Sequence, residues 1–95
     1  MELVFEWDIK KAEVNFQKHK VDFEEAKTIF YNPFSKIFED EAHSILEKRE
    51  IIIGHSNKGR LLIVIFIEKK ENMIRLISAR TATAKERKDY EENAK

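Results

Sequence analysis

The sequence predicts an α+β domain in which helices pack against a mostly antiparallel sheet, in the element order β-α-α-β-β-β-β-α. Three observations lead to this fold class: helix-capping patterns in the first half, apolar segments of strand length in the second half, and a capped, highly charged final segment. Two helices are expected on one face of the sheet, with a third at the C-terminal end. The 95 residues make a single domain, 1–95, with one core.

The first predicted element is a strand at residues 3–7, where apolar side chains alternate along LVFEW. Asp8 follows as a helix N-cap, because a side-chain oxygen there accepts from the free N–H groups of the first turn. The helix runs to about His19, and its predicted buried face consists of Ile9, Ala12 and Phe16.

A second helix is predicted to begin at Asp22, with Glu25 as the capping-box acid and Val21 packing against Ala26. Proline cannot continue a helix, so this one ends at Asn32-Pro33. Its predicted buried stripe consists of Phe23, Ala26, Ile29 and Phe30.

The second half is predicted to form strands at 34–39, 49–55, 60–68 and 73–80. Short polar loops join the last three of them, at 56–60 and 69–72, and loops of this length produce antiparallel hairpins. The chain then ends in a helix that begins at Thr83, with Glu86 completing a second capping box.

Composition excludes several classes of protein. The chain is 42% hydrophobic and 38% charged, which is typical of a folded domain and not of a disordered one. It contains no cysteine, so disulfides, thiolate zinc sites and cysteine nucleophiles are excluded. The longest apolar run, 61–67, is too short for a membrane span, and the N-terminus does not resemble a signal peptide. We therefore expect a cytoplasmic protein.

Charge is distributed unevenly along the chain, although the formal net charge is zero. Residues 1–50 contain 8 Lys and Arg against 12 Asp and Glu, whereas residues 51–95 contain 10 against 6. A polyanion is therefore expected to bind the second half.

Strand alternation places arginines on one face of the predicted sheet. In 73–80, Ile74 and Leu76 share a face with Ser78, so that Arg75 lies on the other face; Arg49 lies with the isoleucines of 49–55. The strand at 60–67 is apolar on both faces, and two helices can cover only one of them. The last helix, a partner, or both must cover the second face, whose arginines indicate an anionic ligand.

Five segments, spread over nearly the whole chain, form a specific pattern. They are FEWD…KA…N…KH (5–19), FEEA (23–26), NP (32–33), HS..E.R…IG.S..GR (43–60) and R.ISAR.AT..ER..YE (75–91). With this pattern the chain resembles the BrnT toxin family of bacterial type II toxin–antitoxin modules. Two positions depart from it: Ile9 replaces a proline after the helix cap, and Lys20 replaces a glycine after the helix end.

The resemblance implies a fold similar to the RelE and ParE toxins and a ribonuclease activity that arrests translation. It also implies neutralisation by a cognate BrnA-like antitoxin of the ribbon-helix-helix type. Operator DNA would be bound only indirectly, through the toxin–antitoxin complex. Two other functions stay open: a non-catalytic module that binds a protein through the same sheet face, and a topoisomerase inhibitor similar to ParE.

Metal-free RNA cleavage needs charge stabilisation at the phosphorane, and a guanidinium binds phosphate through two parallel hydrogen bonds. The candidates are Arg80, at a strand end beside a helix cap, and Arg49 and Arg75, on one sheet face. The alternative is that they pair with nearby carboxylates such as those of Glu47, Glu50 and Glu86.

Proton transfer requires a further group. His43 lies in the loop before 49–55 and matches the family pattern, and Glu68 closes the central strand. Lys58 and Arg60 flank a hairpin and are expected to attract RNA. The histidine spacing matches no metal-binding motif, so we expect neither a metal nor a cofactor.

Overall fold

The computed structural model describes residues 2–44 and 46–93, and it contains the predicted succession of strands and helices. Short 3₁₀ helices follow α2 and β2, at Lys27–Tyr31 and Glu41–His43. The strands are β1 (Val4–Glu6), β2 (Lys36–Glu39), β3 (Glu50–His55), β4 (Leu61–Lys70) and β5 (Met73–Thr81); the helices are α1 (Ile9–His19), α2 (Phe23–Ala26) and α3 (Ala84–Asn93).

The five strands form one mixed sheet in the order β1-β5-β4-β3-β2. The strands from β2 to β5 pair antiparallel with their neighbours, as the short loops require. In contrast, β1 pairs in parallel with β5, with Val4 opposite Met73 and Glu6 opposite Arg75. The predicted description of the sheet as antiparallel is therefore corrected, because β1 reaches its partner through most of the chain and no hairpin fixes its direction.

One face of the sheet carries the main core. The side chains of Leu62, Val64 and Phe66 on β4 are buried there under α2 and the 3₁₀ helix that follows it. The predicted stripe of the second helix is confirmed, since Phe23, Ala26 and Ile29 are buried and Phe30 packs against the core. Its cap is confirmed at Asp22, whose carboxylate accepts from Glu25 N–H at 2.7 Å. The Glu25 carboxylate itself, however, binds Ser56 and Arg60 instead of closing the capping box.

The predicted buried face of α1 is wrong for Ile9 and Phe16, although Ala12 packs against the main core and Asp8 caps the helix as expected. Ile9 and Phe16 are exposed, and the buried residue of the helix is Asn15. Asn15 Nδ2 donates to Ala79 O at 2.8 Å, and Asn15 Oδ1 accepts from Ala79 N–H at 3.0 Å. The Asn15 amide thus supplies hydrogen-bond partners to the edge of β5 beyond the end of β1. Apolar periodicity in the sequence does not reveal this role.

The opposite face of the sheet carries α3 and a smaller core of Ile53, Leu61, Ile63 and Tyr90. The predicted capping box of α3 is confirmed: Glu86 N–H donates to Thr83 Oγ1 at 3.1 Å, and Thr83 N–H donates to Glu86 Oε1 at 2.8 Å. Tyr90 is the buried residue of this helix, and its hydroxyl donates to Phe34 O at 3.0 Å. No helix in the described part of the chain is long and apolar enough to cross a membrane.

Candidate functional site

A groove of about 320 Å³ lies between α3 and the sheet, on the face opposite the main core. Its floor consists of isoleucines from β3 and β4, and charged side chains stand around its rim. It is lined by Lys36, Phe38, Ile51, Ile53, Ile63, Ile65, Ser78, Arg80, Glu86, Asp89, Tyr90 and Asn93. An apolar floor with a few polar groups at the margin is the usual form of a ligand site.

The register of the sheet brings Ser78 and Arg80 to this groove. Ile63 pairs with Arg80, and Ile65 pairs with Ser78. The predicted parity of Ser78 is wrong, because a bulge between the Ile65–Ser78 and Phe66–Leu76 pairs inserts an extra residue in β5. Ala79 therefore joins Leu76 in the main core, and Ser78 and Arg80 lie with Arg75 on the groove face.

Arg80 forms a bidentate ion pair with the capping acid of α3. Its Nη1 and Nη2 lie 2.8 Å and 2.9 Å from Glu86 Oε1 and Oε2, and Nη1 also donates to Thr81 O at 3.3 Å. The guanidinium lowers the pKa of Glu86 to about 2, and the carboxylate raises the pKa of Arg80. A guanidinium has five N–H donors, and the edge formed by Nε–H and the second Nη2–H forms no hydrogen bond within residues 2–44 and 46–93.

Arg75 and Arg49 lie farther along the same face. Arg75 Nη1 donates to Glu6 Oε2 at 2.9 Å, and its side chain is 34% exposed. Arg49 precedes β3 and forms no ion pair within residues 2–44 and 46–93. Arg75 and Arg80 are five positions apart, on the order of 15 Å along a strand. The structure thus spreads the three predicted arginines along the sheet and does not gather them at one point.

His43 ends the 3₁₀ helix after β2 and is bound to a neighbouring carboxylate. His43 Nδ1 lies 3.1 Å from Asp40 Oδ2 and 3.2 Å from Asp40 Oδ1. The Asp40 side chain is 12% exposed and the His43 side chain 68% exposed. Asp40 N–H donates to Arg49 O at 2.9 Å, which places the pair next to Arg49. Sequence analysis singled out His43 but missed Asp40, although their three-residue spacing was a usable signal.

The other predicted site residues lie elsewhere. Glu68 is exposed and pairs with Ile74, whose side chain belongs to the main core, so strand alternation turns Glu68 away from the groove. Lys58 is exposed in the loop between β3 and β4.

Arg60 donates to both Glu25 oxygens and to Lys20 O. Arg60 therefore holds the helices to the hairpin, and its expected role in RNA binding stays a prediction.

The predicted pairing of Glu47 with Arg49 is also wrong, since Glu47 Oε2 accepts from Lys69 Nζ at 3.0 Å. His55 packs against the Tyr90 ring at a centroid distance of 5.8 Å. Within the described ranges 2–44 and 46–93, no three His, Asp or Glu side chains form a group suited to a metal ion.

Comparison with known proteins gives a consistent result. The sequence profile of the family described as "Ribonuclease toxin, BrnT, of type II toxin-antitoxin system" matches residues 7–86. The structure is similar to the crystal structure of the Brucella abortus ribonuclease toxin BrnT, with 27% sequence identity and a TM-score of 0.65. That alignment covers 87% of this chain and 97% of the Brucella chain. A search of curated proteins found no match.

Proposed function

Because the chain belongs to the BrnT family of ribonuclease toxins of type II toxin–antitoxin systems, we propose that it is a metal-independent endoribonuclease that arrests translation. The observation that carries the proposal is the groove face, where the Arg80 guanidinium borders an apolar floor and Arg75 lies farther along β5 on the same face. A likeness to the RelE and ParE toxins is part of the same proposal.

The proposed role of the arginines is to bind phosphates; Arg49, which lies next to the His43–Asp40 pair, is the one that stabilises the charge of the phosphorane. Arg80 presents its Nε edge to a phosphate, while Glu86 fixes the guanidinium through Nη1 and Nη2. Arg75 and Arg49 bind the strand farther along the face, and Arg49 has no ion pair to break within residues 2–44 and 46–93. Preorganised charge of this kind acts most strongly where charge develops in the transition state.

His43 is the proposed base, with Asp40 as the positioning residue. When Nδ1–H donates to Asp40, Nε2 is left as an acceptor for the proton of a ribose 2′-OH. The 2′-oxygen then forms a bond to phosphorus, giving a 2′,3′-cyclic phosphate. The bond from phosphorus to the 5′-oxygen breaks, and this oxygen leaves with a proton from water. Glu68 has no place in this scheme, because it faces away from the groove.

The proposed protein partner is a cognate antitoxin of the ribbon-helix-helix type, which would neutralise the toxin by covering the same face. Phe38 on the edge strand β2 lines the groove and is exposed, and Phe34, just before this strand, is exposed too. Exposed apolar side chains at a sheet edge are typical of a protein-binding surface.

The first test is cleavage of RNA in EDTA by purified protein. We expect the wild type to cleave, and Arg80→Ala to reduce the rate about 10-fold or more with an unchanged circular dichroism spectrum, because a phosphate of the bound strand loses its contact with the guanidinium. Arg87→Ala is the matched control, because Arg87 is exposed on α3 and does not line the groove. Full cleavage by Arg80→Ala would remove Arg80 from the site.

A wild type that cleaves no RNA, with or without divalent metal, would favour the non-catalytic protein-binding module. DNA damage in cells without loss of RNA would instead favour inhibition of a topoisomerase.

A second test separates base from positioning residue. We expect His43→Ala to reduce kcat strongly, and Asp40→Asn to reduce kcat with little change in KM, because it disturbs the imidazole tautomer and not RNA binding. Unchanged kcat in both variants would exclude this pair from the reaction.

A further inference from the structure

Helix α1 has a basic side that the cleavage scheme leaves unused. Lys10, Lys11 and Lys18 are exposed, and none of them forms an ion pair within residues 2–44 and 46–93. They line a shallow groove of about 370 Å³ between α1 and β5, together with Val14, Asn15, His19, Ile77 and Ser78. The acidic residue Glu13 instead lines a different depression, with Ile9 and Phe16. The helix therefore separates its charges, and the lysines all border the groove against β5.

This second groove adjoins the proposed cleavage groove. Ser78 lines both of them, and it lies in the bulge where β5 carries an extra residue. Arg80, two residues farther on, stands on the rim of the cleavage groove. A continuous surface thus runs from the free edge of Arg80, across Ser78, to the α1 lysines.

We propose that a single RNA strand, bound in the cleavage groove, crosses β5 at Ile77–Ser78 and continues along α1, with its phosphates bound by Lys10, Lys11 and Lys18. This RNA track rests on the proposed ribonuclease function, which it extends from one phosphodiester to a longer substrate. The distance along the helix axis from Lys10 to Lys18 is about 12 Å at 1.5 Å per residue. A strand with one charge per roughly 3.4 Å, as when stacked in a duplex, would place about three phosphates over that length.

The chemistry of the track indicates binding without sequence preference. Lysine contacts phosphate as a point charge, and the buried amide of Asn15 is already bound to the backbone at Ala79 and Val21. The track therefore contributes affinity that depends on salt, and any base preference must come from the cleavage groove.

The test uses a 2′-O-methyl RNA oligonucleotide of about twelve nucleotides, which cannot form the cyclic phosphate and so reports binding alone. The variant is Lys10→Gln/Lys11→Gln/Lys18→Gln. The control, Lys70→Gln/Lys85→Gln/Lys88→Gln, removes the same charge from exposed lysines outside both grooves. Loss of three phosphate contacts should reduce the slope of log K against log salt by about 2 and weaken binding about 10- to 100-fold at 0.1 M salt.

We expect the control to stay close to the wild type, and we expect both variants to cleave a dinucleotide, which is too short to reach α1, at the wild-type rate. An unchanged affinity and salt slope in the α1 variant would overturn the track, and so would an equal loss in the control. Cleavage of RNA by a wild type whose affinity does not depend on α1 would overturn the track and leave the ribonuclease proposal intact. If the wild type cleaves no RNA but the α1 variant loses RNA binding, the ribonuclease proposal is overturned and the track is supported.

Discussion

The two faces of the sheet each hold an Arg–Glu pair, and the two pairs use different edges of the guanidinium. On the main-core face, Arg60 binds Glu25 through Nε and Nη2, and Nη2 also donates to Lys20 O. On the groove face, Arg80 binds Glu86 through Nη1 and Nη2, so that its Nε edge stays free. The Glu25 side chain is 1% exposed, whereas that of Glu86 is 33% exposed. The same pair of residue types therefore stabilises the fold on one face and presents a cation on the other.

The apolar residues of β4 are likewise divided between a buried face and an open face of the sheet. Leu62 and Val64 are fully buried under α2, while Ile65, on the other side of the strand, forms part of a groove floor and is partly exposed. Stability is concentrated on the main-core face, and the groove face is left open enough to bind a ligand.

The largest expected effect comes from shortening a residue of the main core. Leu62→Ala should lower the free energy of unfolding by about 3 kcal/mol, because it leaves a cavity that the core cannot fill. Ile65→Ala should lower it by only about 1 kcal/mol, because solvent already reaches the groove. Urea denaturation measures both values, and equal losses would contradict the division between the faces.

A smaller effect is expected at the edge of β5. Asn15→Ala leaves the N–H and C=O of Ala79 without their amide partner, which should lower the free energy of unfolding by about 2 kcal/mol. Asn15→Asp keeps an acceptor but loses the donor and adds a buried charge, so it should not restore stability. Wild-type stability in Asn15→Ala would show that the edge does not depend on this side chain.

The Arg80–Glu86 pair gives a pH-dependent effect. The pKa of Glu86 falls from its ordinary 4.5 to about 2, so the stability it contributes is present above about pH 4.5 and is lost as the pH falls through about 2. Glu86→Gln should therefore be less stable than the wild type at pH 7, and this difference should vanish towards pH 2. Thermal unfolding across this range measures it, and a difference that is constant with pH would contradict a charged pair.

The smallest expected effect concerns the end of α1. Lys20 adopts a left-handed conformation, φ 59° and ψ 31°, which is the position where the family pattern has glycine. Lys20→Gly should raise the free energy of unfolding by up to about 1 kcal/mol, because glycine adopts this conformation without strain. Its carbonyl, which accepts from Arg60, is retained. A stability loss in this variant would show that the lysine side chain contributes more than its backbone strain.

Local signals predicted the fold better than the site. Asp8, Asp22 and Thr83 all cap helices as the sequence indicated, because a cap depends on residues within one turn. The role of Asn15 depends on a contact with a residue 64 positions away, and the bulge in β5 depends on its register with β4. Neither leaves a local pattern, and the bulge alone reversed the predicted face of Ser78.

The site was predicted by residue type but not by arrangement. Sequence chemistry selected Arg49, Arg75, Arg80 and His43; Arg80 lines the groove and Arg75 lies farther along β5 on the same face, and the roles of all four stay predictions. It could not show that Arg60 pairs with Glu25, because the two are 35 positions apart, or that Glu68 points to the opposite face.

Nuclear magnetic resonance tests most directly whether RNA binds to the groove face. Titration of ¹⁵N-labelled protein with 2′-O-methyl RNA should shift amide signals at Arg49, Arg75, Ser78 and Arg80, and leave those of α2 and the loop at Asn57 and Lys58 unchanged. Shifts confined to α2 and that loop would place the RNA on the other face and contradict the account.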